Sequence, residues 1–237
     1  MTKTFEIAKM IDHSLLHPTL SEKELIEGCK LAAKYDVASV CVKPYHVAMA
    51  KSELEGTDVL IGAVIGFPHG NSTLEIKLAE TAQVITDGAT EVDMVVNLSK
   101  VMDEDWNFLE EEIGAVTDLC HKNGAIVKVI FAVDLIEDKH IIKLCEVCSK
   151  VKADFVKTST GYNFVKGADG KYSYKGATDH VLQLMRKHSA SEVQVKAAGG
   201  VKGLKGFLNV KAIGCTRVGT GQTEQVIKEA KEYFGEN

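Results

Sequence analysis

Eight short, almost continuously apolar runs recur along the chain, each followed by a segment long enough to be a helix. They occupy residues 10–16, 37–42, 59–66, 91–97, 126–133, 154–160, 192–198 and 215–219. Most are rich in β-branched residues and lack the alternation of a sheet with one wet face. They therefore read as parallel strands covered on both sides. The segments between them carry helix punctuation. Ser21-Glu22-Lys23-Glu24 and Ser72-Thr73-Leu74-Glu75 both have the spacing of a capping box. Gly88, Gly124 and Gly214 each stand where a helix would end, just before the next strand. Eight strand–helix units in 237 residues fit one closed (β/α)8 barrel, the parallel α/β architecture called the TIM barrel. A doubly wound open sheet is the competing topology, but it lacks its usual glycine-rich phosphate loop after the first strand. No linker, low-complexity tract or charge block divides the chain, so residues 1–237 read as a single domain.

Composition narrows the function classes. The formal charge of −5 argues against a nucleic-acid platform, which would carry a basic excess. No apolar run reaches the roughly 18 residues of a membrane span. The segment Met1-Thr2-Lys3-Thr4-Phe5-Glu6 holds nothing like a secretion signal. A cytoplasmic protein is expected. The six cysteines, Cys29, Cys41, Cys120, Cys145, Cys148 and Cys215, form no framework of paired spacings. Cys145 and Cys148 match C-x-x-C, but they share a helical face with Ile141 and Leu144 and read as core.

Within this frame two lysines are out of place. Lys157 and Lys196 sit inside apolar strand-like runs, where an ammonium is expensive to bury and tends to lose its proton. A neutral lysine amine is a nucleophile toward carbonyl carbon. Alternation along a strand puts Phe155, Lys157 and Ser159 on one side of strand six and Gln194, Lys196 and Ala198 on one side of strand seven. Asp93 shares a face with Val95 and Asn97, and strand one contributes Asp12. With the polar parity turned inward, Asp93, Lys157 and Lys196 meet inside one barrel. One lysine can then attack a carbonyl while the other stays cationic, with Asp93 moving protons. The competing explanation is a purely structural Lys–Asp–Lys network. Pro18, Pro44 and Pro68 follow strands one to three, while Gly199-Gly200 and Gly219-Thr220-Gly221 follow strands seven and eight. The catalytic end of a barrel is where such loops collect, and glycine turns there often hold phosphate.

Six segments then carry a family resemblance: Ile11-Asp12-His13-Ser14-Leu15-Leu16, Val40-Cys41-Val42, Val64-Ile65-Gly66-Phe67-Pro68, Glu91-Val92-Asp93-Met94-Val95, Phe155-Val156-Lys157-Thr158-Ser159-Thr160-Gly161 and Lys196-Ala197-Ala198-Gly199-Gly200-Val201. In content and order they resemble the signatures of the deoxyribose-phosphate aldolase family. The resemblance implies a class I, metal-independent aldolase without a cofactor. It would cleave 2-deoxy-D-ribose 5-phosphate reversibly to acetaldehyde and D-glyceraldehyde 3-phosphate. It further implies Lys157 as the Schiff-base residue, Lys196 as the lysine that lowers its pKa, and Asp93 as the proton shuttle. Asp12, Cys41 and Thr160 match supporting pocket residues, and Gly199, Gly200, Gly219, Thr220 and Gly221 are the expected substrate-phosphate contacts. The partner is a small sugar phosphate, with a homo-oligomer, a dimer foremost, as the expected assembly.

The chain departs from the family pattern at several positions. Lys43 replaces an asparagine, and Ala132 stands where a glutamate usually closes the fifth strand. Gly219-Thr220-Gly221-Gln222-Thr223 replaces a serine-rich stretch, and the loop 162–176 is longer than in many relatives, with Lys166, Lys171 and Lys175 on it. A related class I aldolase for another sugar phosphate and a catalytically silent barrel used for binding are the alternatives. Lys43 is read as a phosphate aid or a solvated charge. His69 reads as a loop histidine, Trp106 as packing, and Arg217 as the partner of a neighbouring carboxylate.

Overall fold

The computed structural model describes residues 2–236. Its strands are β1 (Ile11–Leu15), β2 (Ser39–Val42), β3 (Leu60–Ile65), β4 (Glu91–Val95), β5 (Ile126–Ile130), β6 (Phe155–Lys157), β7 (Val165–Lys166), β8 (Tyr172–Ser173), β9 (Gln194–Ala198) and β10 (Arg217–Thr220). Eight of them close a barrel in the order β1-β2-β3-β4-β5-β6-β9-β10, every pairing parallel; β7 and β8 form a separate antiparallel hairpin. Helices α1 (Lys3–Ala8), α2 (Glu22–Lys34), α3 (Val47–Glu53), α4 (Leu74–Asp87), α5 (Leu98–Met102), α6 (Trp106–Lys122), α7 (Asp138–Lys150), α8 (Asp179–His188), α9 (Gly203–Ile213) and α10 (Thr223–Phe234) complete the element set. The expected TIM barrel is therefore what forms.

The apolar runs form strands because both of their faces are covered. Outward residues such as Val92, Met94, Val127, Val129, Val195 and Ala197 are buried in one core with the helices. Helix ends follow the sequence punctuation in most places. Ser21 caps α2 in a capping box with Glu24, and Gly88 and Gly214 are left-handed C-caps. The second capping box does not form: α4 begins one residue later, on Thr73, with no side-chain cap bond. The observed strands are also shorter than the apolar runs. Just beyond β6 the Thr158 N–H still reaches the Lys196 carbonyl of β9 at 3.3 Å, and the Thr158 side chain extends the bridge. Its Oγ1 donates to the Ala198 carbonyl and accepts the Ala198 N–H. The long loop after β6 is partly ordered as the β7–β8 hairpin, and α1 precedes the first strand; neither was expected. All six cysteines are free and buried, Cys145 and Cys148 on the core face of α7.

A buried ion pair clamps the catalytic ends of β3 and β4. Lys77 of α4 and Glu112 of α6 meet at 2.7 Å with both side chains fully buried. Lys77 Nζ also donates to the Val95 carbonyl, and Glu112 accepts the Asn97 N–H. Gly66, at φ +57°, leaves room for the Lys77 stem; an added Cβ would come within 3.0 Å of Lys77 Cε. Burial pushes the Lys77 pKa down and the Glu112 pKa up, so each partner needs the other to stay charged. Glu112→Ala should therefore lower the unfolding free energy by about 3–5 kcal/mol, since it strands a buried ammonium. The Lys77→Met, Glu112→Leu double variant should recover most of that loss in urea titrations. A double variant as unstable as the single one would refute the pairing.

Candidate active site

Strand alternation sends one face of each barrel strand inward, and register decides which inward residues become neighbours. Lys157 on β6 pairs in register with Lys196 on β9, and Lys196 with Arg217 on β10. On the other side Asp93 of β4 pairs with Lys128 of β5, while Glu91 lies two residues earlier on the inner face of β4. Asp12 of β1 is level with Gly219.

The Asp93 carboxylate is the hub. Its Oδ2 accepts from Lys157 Nζ at 2.7 Å and from Lys196 Nζ at 2.8 Å, and its Oδ1 accepts from Lys128 Nζ at 3.1 Å. Lys196 Nζ also forms a 2.5 Å ion pair with Asp12 Oδ2. Lys128 Nζ sits 2.5 Å from Glu91. Arg217 bridges the two remaining carboxylates, donating to Asp12 and, at 2.9 Å, to Glu91. Three carboxylates thus face four basic side chains, in a space where all but the half-buried Arg217 are at most 3% exposed.

That count leaves one cation in excess, and Lys157 is the one of the three lysines whose pKa is lowered. Burial drives the Lys157 pKa down, and the ammonium of Lys196 adds to this; Asp93 opposes but does not win. Burial also presses on Lys196 and Lys128. Lys196 is held above the ordinary lysine value by Asp12 and Asp93, and Lys128 well above it by Asp93, Glu91 and Asp12. Asp93 and Asp12 are pulled below the usual carboxylate range: the cations around them outweigh burial. Lys157 is thus the most readily deprotonated of the three lysines, and it stands beside an ammonium held above the ordinary value.

Lys157 and Lys196 line a cavity of about 420 Å³ at the C-terminal end of the barrel. Asp12, Cys41, Thr160, Gly199, Gly200, Gly219, Thr220 and Gly221, all marked from sequence, line it too. Asp93 does not; it lies directly behind the two amines, fully buried. Cys41 Sγ is 3.9 Å from Asp93, and burial, with Asp93, pushes its thiol up to about 11, which keeps it protonated. Gly199 and Gly200 have φ of +82° and +80°, a conformation that favours glycine. Lys202, the first residue before α9, adds a cation to the rim beside them.

Several sequence readings need amendment. Glu91 and Lys128 belong to the network and were missed, although the parity rule that marked Asp93 and Lys157 marks them equally. Lys202 was also missed; nothing distinguishes it in sequence from other surface lysines. Arg217 pairs with carboxylates as read. Lys43 is neither a phosphate aid nor a solvated charge: its Nζ donates to the His17 and Leu20 carbonyls and ties down the β1–α2 loop. His69 is exposed outside the lysine cavity, and Trp106 packs half-buried near His140. Among the described residues, no three His, Cys, Asp or Glu side chains gather as metal ligands, and no helix is long and apolar enough to cross a membrane.

A parallel barrel with paired lysines at its C-terminal mouth defines an aldolase class, and the comparisons agree: the chain belongs to the DeoC/LacD family aldolases, whose family model matches residues 6–215. A deoxyribose-phosphate aldolase of Rhodopirellula baltica is 47% identical over 97% of this chain and 91% of its own length. A deoxyribose-phosphate aldolase of Clostridium tetani is 40% identical over 95% of this chain and 100% of its own. Among solved structures, the tetrameric deoxyribose phosphate aldolase of Aeropyrum pernix superposes with a TM-score of 0.86 at 27% identity. It covers 98% of this chain and 94% of that one.

The charge count yields a test at a residue other than Lys157. Lys128→Met removes a cation that Lys157 does not touch and leaves three carboxylates facing three bases. Asp93 is then less neutralised, so the Lys157 pKa should rise toward the ordinary 10.5. The acid limb of imine formation, followed by borohydride trapping of acetaldehyde across pH, should move to higher pH. An unmoved limb in a folded variant would show that the network does not act as one unit.

Proposed function

We propose that the chain is a class I aldolase that reversibly cleaves 2-deoxy-D-ribose 5-phosphate to acetaldehyde and D-glyceraldehyde 3-phosphate. The observation that carries this reading is the buried Lys157 amine, its pKa depressed, held 2.7 Å from Asp93 beside Lys196, whose pKa is raised. Lys157 Nζ attacks the aldehyde carbon of the open-chain sugar, and loss of water gives an iminium. The iminium draws electrons from the bond between carbons two and three as the 3-hydroxyl gives up its proton. Glyceraldehyde 3-phosphate departs and an enamine remains. Protonation of that enamine and hydrolysis release acetaldehyde and the free amine.

Lys196 lines the cavity and carries a proton, so it is the group placed to donate and recover protons during these steps, with Asp93 and Asp12 behind it. Asp93 takes part through Lys157 and Lys196, the two cavity-lining amines among the three it contacts. The positive-φ turn Gly199-Gly200, the stretch Gly219-Thr220-Gly221 and the Lys202 ammonium form the end of the cavity suited to the phosphate. Thr160 and Cys41 shape its wall. A metal would have no step to assist, because the protonated imine is already the electron sink. The chain is further proposed to act as one cytoplasmic domain that assembles as a homo-oligomer, a dimer foremost, with a small sugar phosphate as its partner and neither nucleic acid nor membrane involved.

Borohydride reduction in the presence of 2-deoxyribose 5-phosphate or acetaldehyde should leave a substrate-derived adduct on Lys157, located by peptide mass spectrometry. Lys157→Leu should abolish both adduct and turnover, and a chelator should leave turnover unchanged. An adduct on Lys196 would reverse the two roles, and a folded enzyme with no adduct would eliminate the imine route. Turnover measured against a panel of aldehyde phosphates separates this substrate from another sugar phosphate.

The acid side of the pH profile reports Lys157. Its amine is the reactive form and its folded-state pKa is depressed, so trapping should rise with pH through that depressed value and then level off. In Lys196→Leu the rise should shift upward, because the neighbouring ammonium no longer disfavours the second charge. A profile identical to that of the unsubstituted protein would separate Lys196 from this function.

A further inference from the structure

The segment between β6 and α8 supplies Thr160 and Tyr162 to the reaction cavity and, from its hairpin, Tyr174. The β7–β8 hairpin is tied to the barrel at its base. Asp134, in the turn after β5, accepts the Lys175 N–H at 2.6 Å and the Gly176 N–H at 3.1 Å. Ala177 N–H donates to the Gly199 carbonyl at 3.0 Å, and Gly176 lies so close that an added Cβ would be 2.7 Å from that same oxygen. This anchoring lays the Tyr174 ring directly on Gly199, where an added Cβ would meet Tyr174 Cε2 at 2.8 Å. Phe164 supports the ring edge-to-face, with centroids 5.5 Å apart.

Tyr174 has cavities on both sides. The lysine cavity of about 420 Å³ lies on one, and a second of about 490 Å³ lies beneath the hairpin on the other. Among the described residues Tyr174 is the single side chain that lines both. Val133, Val165 and Val181 make up much of the wall of the second cavity, and Ser173, Lys175 and Thr178 add hydrogen-bond donors that a hydroxylated or phosphorylated chain can use.

We propose that Tyr174 is a specificity-determining residue: its ring is the partition that limits the length of the acceptor aldehyde at the glycine-turn end of the site. This rests on the aldolase reading above. In the condensing direction the terminal carbon of the Lys157 enamine forms one carbon–carbon bond to the acceptor's aldehyde carbon. The acceptor oxygen takes up a proton, and water then hydrolyses the imine. The ring touches none of these atoms; it bounds the far end of the acceptor. Removing it joins the two cavities and makes room for a longer phosphorylated chain, whereas removing only its hydroxyl leaves the partition standing.

The test measures kcat/KM for condensation of acetaldehyde with D-erythrose 4-phosphate and with D-glyceraldehyde 3-phosphate. Tyr174→Ala should raise the ratio of the longer to the shorter acceptor by about ten-fold, the scale at which a pocket discriminates one carbon unit. Tyr174→Phe should keep the ratio of the unsubstituted enzyme, and borohydride trapping of acetaldehyde alone should be equal in all three proteins. An unchanged ratio in Tyr174→Ala, or equal loss with both acceptors, overturns the partition. An equal shift in Tyr174→Phe overturns it too, because the hydroxyl would then be responsible. If the unsubstituted enzyme fails to condense acetaldehyde with glyceraldehyde 3-phosphate at all, the reaction reading itself fails and the partition falls with it.

Discussion

Everything in this barrel turns on the carboxylate of Asp93, which holds three amines within 3.1 Å in a space closed to bulk water. Water would screen those charges and leave each lysine near its ordinary pKa. Buried as they are, the protonation of each depends on its neighbours. Three carboxylates can balance three cations, and Lys128, Lys196 and Arg217 each touch two or more of them. Lys157 reaches only Asp93, which it shares. The least-compensated amine is the one whose pKa is lowered, and it is also at the cavity wall. Reactivity here is a property of the set.

Such a cluster opposes stability, since charges removed from water regain their solvation only in part. The barrel tolerates it because the surrounding core is large and because rigid strands fix the geometry. Neighbouring parallel strands set Lys157 against Lys196 and Asp93 against Lys128 at single register positions, so the side chains reach a common point without long excursions. The Lys77–Glu112 pair extends the same device outward, bracing the ends of β3 and β4 from the helix layer. Precise placement of Lys157 thus follows from strand register, while the loops shape the cavity in front of it.

The loops are where the structure departs most from what the sequence suggests. The expectation of a free or phosphate-directed Lys43 fails because two backbone carbonyls lie within its reach, a matter of loop path that composition does not encode. The second capping box fails for a similar reason: Thr73, one residue on, occupies the cap position instead. The extended loop 162–176 reads as polar and lysine-bearing in sequence. Asp134, forty residues earlier, decides that it folds back over the glycine turns.

From sequence alone the strand–helix alternation, the barrel and the conjunction of Lys157, Lys196 and Asp93 are legible, because periodicity reports burial and a charged residue in a buried strand stands out. Cys41, Thr160 and the glycine turns are legible through the motif order. Glu91 and Lys128 carried the same parity signal, yet their partnership needs the register between β4 and β5. Tertiary structure alone decided which lysine has its pKa lowered, that Asp93 lies behind the cavity instead of lining it, and that Tyr174 lines two cavities. These depend on distances of a few ångströms between groups far apart in the chain, and electrostatic and steric effects inside a protein change steeply over that range.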